Sequence, residues 1–181
     1  MNKLLLHICC ANCATVPIEL LQGQFDLTLF WYNPNIYPSA EYEKRLAEVR
    51  KLSAIYKIDL LEESYENEKW QETIKGKENE LEGGERCQIC FKMRLEKTAQ
   101  IAQRCDIPYF ATSLTVGPSK NAVKINQIGV ELAQKYDLKF FEADFKKNDG
   151  FKRSLELSKE YNFYRQNYCG CAFSVRQNQA L

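Results

Sequence analysis

An α/β fold, a parallel sheet flanked by helices, is predicted for this chain of 181 residues by three observations. Short apolar runs rich in branched and aromatic side chains alternate with longer segments whose apolar residues recur at helical spacing, the pattern of strands joined by crossover helices. The length matches one compact unit at roughly 150 residues per domain, and 45% hydrophobic residues are enough to fill its core. No internal repeat, low-complexity tract or linker divides it, so a single α/β domain over residues 1–181 is expected.

Residues 3–8 form a buried apolar strand that feeds a cysteine-rich turn at 9–13. Residues 26–32 are a second strand, dense in aromatic and branched side chains. Residues 33–38 hold two prolines and two asparagines, which break ladders and helices alike, so they are loop. Ser39 can cap a helix through Tyr56, because Tyr42, Leu46, Val49, Leu52 and Tyr56 share helical spacing with charges between them. A weaker strand at 59–61 precedes an acidic helical stretch over 65–75, and Gly83-Gly84 punctuates the chain before Cys87. The spacing of Phe91, Met93, Leu95, Ala99 and Ala102 predicts a helix over 90–103. Residues 109–111 read as strand, 121–136 as helix, 139–141 as strand and 151–161 as the last helix. In a parallel sheet the ligand site lies beyond the carboxyl ends of the strands, and the cysteine turn directly follows the first of them.

With 25 basic and 24 acidic side chains the chain is no wholesale polyanion binder. The balance is uneven. Residues 41–82 hold 12 acidic and 8 basic side chains and residues 139–181 hold 5 and 8, so the C-terminal quarter is net basic by three. That excess suits contact with a phosphate backbone, although a solvated surface is the commoner reason for it. The N-terminal segment lacks the apolar core of a secretory signal, and no run approaches the roughly 18 apolar residues needed to span a bilayer. A cytoplasmic location with no membrane partner is expected, where thiols stay reduced and clustered cysteines bind metal or cycle electrons.

Eight cysteines fall short of the density of roughly 8–10% that marks a disulfide scaffold, and a chain of this size needs no crosslinks to fold. Cys10 and Cys13 stand at CxxC spacing with Cys9 beside them, Cys87 and Cys90 form a second CxxC, Cys169 and Cys171 form a CxC, and Cys105 is alone. A CxxC on a tight turn brings two thiolates to one metal or cluster, and two such groups in one fold are a strong signal. A closed four-cysteine zinc site is the rival, but such sites usually close a small knuckle of their own. These groups lie about 75 residues apart in a fold with its own core. An iron–sulfur cluster would use four cysteines and leave a pair for chemistry. Cys169-Gly170-Cys171 is a poor clamp and a good candidate dithiol, able to close to an easily reduced disulfide; alternatively this pair also binds metal, as a second iron beside the cluster. Cys105 is expected to be a plain buried thiol.

His7, in the first strand, is expected to be half-buried and to support the site rather than ligate. Asp144 reads as an exposed loop carboxylate, with ligation or proton donation as its other uses. No GxGxxG, Walker A or nucleophile-elbow pattern occurs, and the turn after the first strand lacks the serine and glycines of a phosphate loop. Nothing points to nucleotide hydrolysis.

Five blocks share a family pattern: His7-Ile8-Cys9-Cys10-Ala11-Asn12-Cys13, Asn33-Pro34-Asn35-Ile36-Tyr37-Pro38, Gly84-Glu85-Arg86-Cys87-Gln88-Ile89-Cys90-Phe91, Asp144-Phe145-Lys146-Lys147 and Tyr164-Arg165-Gln166-Asn167-Tyr168-Cys169-Gly170-Cys171. In order and from end to end they resemble the motifs of the non-cobalamin epoxyqueuosine reductases of the QueH type. Two departures stand out. Asn12 occupies the place of a usual proline, and Gly117-Pro118-Ser119-Lys120 replaces the usual Ser-Pro-His-Lys, so no proton-transfer role of that histidine carries over.

The resemblance implies a nucleotide-hydrolase-like (HUP-like) α/β fold with a cysteine turn in place of the phosphate loop. It implies the last step of queuosine synthesis, the two-electron reduction of the epoxide of epoxyqueuosine in a tRNA anticodon loop, served by an unidentified electron donor. It also implies that Cys9, Cys10, Cys87 and Cys90 hold a [4Fe–4S] cluster and that Cys169 and Cys171 are the redox-active catalytic pair, with Cys13 as alternate ligand and room for an additional iron ion. Reducing an epoxide to an alkene needs a reductant, a Lewis acid or proton donor for the oxygen, and dry walls. Lys146, Lys147, Lys152, Arg153, Arg165 and Arg176 are the candidate phosphate contacts, and Tyr37 or Tyr168 can stack on a base drawn out of the loop. Two rival classes are a non-enzymatic iron–sulfur or metal-binding module, which predicts an exposed site without a pocket, and a cluster-dependent tRNA sulfur-transfer enzyme, which needs the missing nucleotide loop.

Overall fold

The computed structural model describes residues 1–174. Its strands are β1 (Asn2–His7), β2 (Phe25–Trp31), β3 (Leu60–Glu62), β4 (Tyr109–Thr112) and β5 (Lys139–Phe140), all parallel in one sheet of order β3-β2-β1-β4-β5. The helices are α1 (Ala11–Leu21), α2 (Ser39–Tyr56), α3 (Asn67–Thr73), α4 (Glu85–Arg104), α5 (Ala122–Tyr136) and α6 (Gly150–Glu160), with a short 3-10 turn at Ser113–Val116. Among the described residues no helix is long and apolar enough to cross a membrane.

β1 is the central strand, paired with β2 from Asn2↔Phe25 to His7↔Phe30 and with β4 from Leu4↔Tyr109 to His7↔Thr112. The chain runs outward through β2 and β3, then returns to the far side of β1 for β4 and β5. The strand order therefore reverses between β1 and β4, and ligand crevices in open parallel sheets form at that switch, beyond the carboxyl ends. Alternation of side chains gives β1 two buried faces. Leu4, Leu6 and Ile8, with Leu27, Leu29 and Trp31, pack under α1, α2 and Phe151 of α6. Leu5, Phe30 and Tyr32 pack under α4 and α5. Leu4, Leu5 and Leu6 are wholly buried, each contributing about 1.5–3 kcal/mol, and they hold the following cysteines at the middle of the crevice.

Three local expectations change. The cysteine segment is not a bare turn: Cys10 is the N-cap of α1, its Sγ accepting the Cys13 N–H at 3.3 Å, and Cys13 lies in the first helical turn. α1 leaves no period in the sequence because its buried residues, from Ala11 through Thr15 to Leu21, run nearly all round it and Pro17 interrupts the pattern. α4 begins at Glu85 rather than residue 90, which puts Cys87 and Cys90 on one helical face instead of a loop. Cys105 is exposed, not buried: the helix stops at Arg104, and Asp106, in the left-handed region at φ 54°, turns the chain toward β4.

His7, at the end of β1, is wholly buried rather than half-buried. Its Nε2 lies 3.2 Å from the Tyr32 carbonyl and its Nδ1 2.9 Å from the Thr112 hydroxyl. A carbonyl only accepts, so Nε2 carries the proton and Nδ1 accepts. Burial, aided by the nearby Arg94 charge, pushes its pKa from 6.5 down to about 3.

The unfolded chain thus binds a proton between pH 6.5 and about 3 that the folded chain refuses. Stability should be full above that window and fall as pH drops through it. Denaturant unfolding of wild type and His7→Gln checks this: the variant should show the flatter profile, and identical slopes would remove His7 as the source. A second expectation concerns Gly150, where an added Cβ would stand 1.9 Å from the Phe145 carbonyl oxygen. Gly150→Ala should lose roughly 1–3 kcal/mol, read by thermal unfolding, whereas Gly23→Ala, with nothing within 4 Å, should not destabilise.

A candidate metal and thiol site at the sheet switch point

A cavity of about 450 Å³ opens at the crevice beyond β1 and β4. Cys9 and Cys13 line it from the junction of β1 and α1, Cys87 and Cys90 from α4, and Cys169 and Cys171 from the segment that follows α6. Cys10 is buried behind them. The sulfurs of Cys9, Cys10 and Cys13 all lie within 4.8 Å of one another, and among the described residues no other group of three histidine, cysteine or carboxylate ligands gathers so closely. The structure thus brings the first cysteine group together and sets the second CxxC on another wall of the same cavity. The CxC joins that wall: Cys90 and Cys171 are buried with Trp70 and Ile74 in one apolar cluster, against which Cys169 and Phe173 pack.

Each group is held by its neighbours in the fold. The Cys9 N–H donates to Ser113 Oγ at 3.0 Å, and that hydroxyl in turn lies 3.3 Å from Cys9 Sγ. Ser113 opens the turn after β4, so pairing of the two strands places it. Asn33 Nδ2 donates to the Ile8 carbonyl at 2.9 Å while its Oδ1 accepts from Arg94. The segment carrying the CxC is fastened by Arg45 of α2, a buried side chain that donates to the carbonyls of Tyr168 (3.1 Å) and Cys169 (3.2 Å) and pairs with Glu41 at 2.7 Å. Gly170 has φ +108° and a Cβ there would meet Ile36 Cγ1 at 2.9 Å, so the bend between the two thiols requires glycine. The Tyr37 N–H donates to the Gly170 carbonyl at 2.8 Å, and Asn12 Nδ2 donates to the Tyr164 carbonyl at 2.8 Å. The proline-rich loop and the residue beside the first cysteines therefore both hold the distant C-terminal segment.

The thiols are electrically unequal. Hydrogen bonds from Cys10 and Cys13, together with the Arg94 charge and the Ser113 hydroxyl, hold Cys9 well below the usual thiol range against the effect of burial. Cys13 is pushed well above that range because its proton serves Cys10 and Cys9. Burial raises Cys90. A hydrogen bond from Cys171 brings Cys169 down to about 5 in spite of burial, with Lys120 and Ser174 adding to it, and the same bond raises Cys171. One lowered thiol beside raised neighbours, Cys9 with Cys10 and Cys13 and Cys169 with Cys171, is the arrangement of activated thiol chemistry.

The remaining candidates divide. Lys146 is half-buried, paired with Asp144 at 2.9 Å, and donates to the Lys120 carbonyl at 3.0 Å. Asp144 is accordingly partly buried and paired rather than an exposed carboxylate. Arg153 is exposed but bound bidentately to Glu19. Lys147 and Lys152 are exposed, and Arg165 stands exposed on the cavity wall. Tyr168 lines the cavity and donates its hydroxyl to the Tyr37 carbonyl at 2.7 Å. Arg176 lies outside the described residues. Sequence reasoning passed over Arg45, Arg94 and Lys120. The first two carried a signal, a charge on the buried stripe of a helix beside Tyr42, Leu46 and Val49 or Phe91, Leu95 and Thr98. Lys120, paired with Glu82 at 3.0 Å, gave none beyond its motif.

The chain is similar to known proteins over nearly its whole length. A family model described as epoxyqueuosine reductase QueH matches residues 4–177. The epoxyqueuosine reductase QueH of Thermotoga maritima is 38% identical over 185 residues, covering 99% of this chain and 93% of that protein. That of Acinetobacter baylyi is 41% identical over 177 residues, covering 97% and 81%, and that of Streptococcus pyogenes serotype M1 is 38% identical over 180, covering 96% and 71%. Among solved structures, the U34-tRNA thiolase NcsA from Methanococcus maripaludis with its [4Fe–4S] cluster matches with a TM-score of 0.58 at 13% identity, over 99% of this chain and 64% of that one, a likeness of fold. The expected nucleotide-hydrolase-like architecture is thus the observed one, with a cysteine-bearing helix start in place of a phosphate loop. A match over nearly the whole length, with the cysteine blocks meeting at one cavity, places the chain in the epoxyqueuosine reductase QueH family.

Proposed function

We propose that this chain is an oxidoreductase that converts epoxyqueuosine to queuosine in tRNA by two-electron reduction of the epoxide. The observation that carries the reading, beside family membership, is the convergence of six cysteines on one cavity. The donor set suits an iron–sulfur group: three sulfurs within 4.8 Å and a CxxC on a neighbouring wall, with thiolate the ligand type that selects such clusters. We assign Cys9, Cys10, Cys87 and Cys90 as the ligands of a [4Fe–4S] cluster. Cys13 is the alternate for Cys10, since it lies in the same sulfur group and lines the cavity, and it is also the thiol available to an additional iron. Those residues would hold the cluster, which when bound would supply one-electron transfer and Lewis acidity.

The chain's own residues supply the rest. Opening an epoxide to an alkene consumes two electrons and two protons and releases water; the Cys169 thiolate and the Cys171 thiol can give both electrons and one proton as they close to a disulfide, and solvent water supplies the second proton. A donor not identified by the structure then reduces that disulfide. Trp70, Phe91, Leu114 and Phe151 line the cavity and exclude water, which keeps the cost of developing charge under the control of fixed groups. Asn12 Oδ1, Asn35 Oδ1 and Trp70 Nε1 are buried at the cavity without a hydrogen-bond partner, and a substrate carrying hydroxyl and amine groups would satisfy them. A cavity of substrate size beside the thiols favours this reading over a bare metal-carrier module, and thiols in place of a phosphate loop favour it over sulfur transfer. Lys147, Lys152 and Arg165 are the candidate phosphate contacts that no ion pair occupies among the described residues.

Cys169→Ser with Cys171→Ser should lower turnover of epoxyqueuosine-containing tRNA to background while iron content and visible absorption stay at wild-type levels, measured after anaerobic reconstitution by nucleoside mass analysis. Full turnover would remove the dithiol from the reaction. Binding of an anticodon stem-loop should weaken about 20- to 40-fold between roughly 50 and 200 mM salt if three phosphates are contacted; affinity independent of salt would exclude those contacts.

A further inference from the structure

We infer that Arg94 is the built-in counter-charge of the thiolate centre, a positioning residue that sets how much negative charge the sulfurs and their metal can take up. The inference rests on the reading of this cavity as a metal–thiolate site. Arg94 is 4% exposed, yet among the described residues it makes no ion pair. It donates to a neutral group, the Asn33 amide oxygen, and its Nε has no hydrogen-bond partner. A buried guanidinium without a carboxylate is costly unless some other anion compensates it.

The fold leaves sulfur as that anion. Cys87, Cys90 and Arg94 stand at i, i+3 and i+7 on α4, one face of the helix, and all three line the cavity with Cys9. Asn33, which holds the guanidinium, also holds the Ile8 carbonyl at 2.9 Å, so one hydrogen-bonded chain links Arg94 to the residue before Cys9. The other candidates are spoken for. Glu82, on the same cavity, pairs with Lys120 at 3.0 Å, and His7 is buried between Thr112 and Tyr32. Each electron added to a thiolate-bound centre makes it one charge more negative, and a fixed cation in a region of low polarity favours the more negative form.

The test compares wild type with Arg94→Met, Arg94→Gln and Arg94→Lys as full-length chains. Two readouts are taken: the midpoint potential after anaerobic reconstitution with iron and sulfide, and the affinity for Co²⁺ alone, read from the sulfur-to-cobalt charge-transfer band. The neutral variants should have a lower midpoint potential and bind Co²⁺ about ten- to a hundredfold more weakly, while Arg94→Lys should lie close to wild type. Thermal unfolding of the metal-free proteins separates a structural role. Neutral variants that fold normally but keep the wild-type potential and Co²⁺ affinity would overturn the inference, and so would a failure of both to fold. If wild type binds Co²⁺ without a charge-transfer band, the thiolate-centre reading itself fails; if the band is present and Arg94→Met leaves it and the potential unchanged, only the role of Arg94 does.

Discussion

Burial of β1 on both faces is the constraint on which the rest depends. A central strand with Leu4, Leu5 and Leu6 wholly buried cannot shift register by one residue without forcing every side chain into the opposite packed face. Its end, and so the position of Cys9 and Cys10, is therefore set by the whole sheet rather than by the loop that follows. Pairing with β4 brings Ser113 to Cys9, and the reversal of strand order beside β1 opens the crevice that the thiols line. The start of α1, where related architectures offer backbone N–H groups to a phosphate, here has a cysteine as N-cap, and the Cys13 N–H is spent on its sulfur.

The second organising feature is the attachment of the C-terminal segment. Cys169 and Cys171 are far from the other cysteines in sequence, and no strand carries them. They reach the cavity because Arg45 grips the carbonyls of Tyr168 and Cys169, Tyr37 holds the Gly170 carbonyl and Asn12 holds that of Tyr164. Backbone carbonyls are the partners in all three cases, which fixes the path of the segment while leaving the thiols free to react. The Asn12 amide supplies a donor that an apolar side chain at this position would lack.

Polar economy separates this cavity from an ordinary core. The sheet faces are packed with aliphatic and aromatic groups, whereas around the thiols the fold buries Arg45, Arg86 and Arg94, and leaves several polar atoms without partners. Natural proteins retain such costs at functional sites, where a ligand or a charge change compensates them. Arg86 shows the structural version of the same device: its guanidinium takes the carbonyls of Lys77, Glu78 and Glu80 and so ties down the segment that leads into α4 and its two cysteines.

Strand and helix alternation, the loop at 33–38 and the grouping of the cysteines were legible in the sequence because each is a local pattern: period, turn residues or spacing. α1 was not, since a helix buried nearly all round has no polar face to mark its period, and Cys105 was misplaced because its exposure depends on where α4 stops. The pairing of cysteine groups with one another was beyond local pattern altogether. Spacing says that two thiols are near each other along the chain; only the strand order, and the carbonyls that Arg45 and Asn12 find, decide which groups share a cavity. The sequence by itself therefore determined the layers and the kind of chemistry. The tertiary structure alone decided that β1, α4 and the C-terminal segment bring their sulfurs to one place, with a buried Arg94 beside them, because that meeting is set by long-range packing and charge rather than by neighbours in sequence.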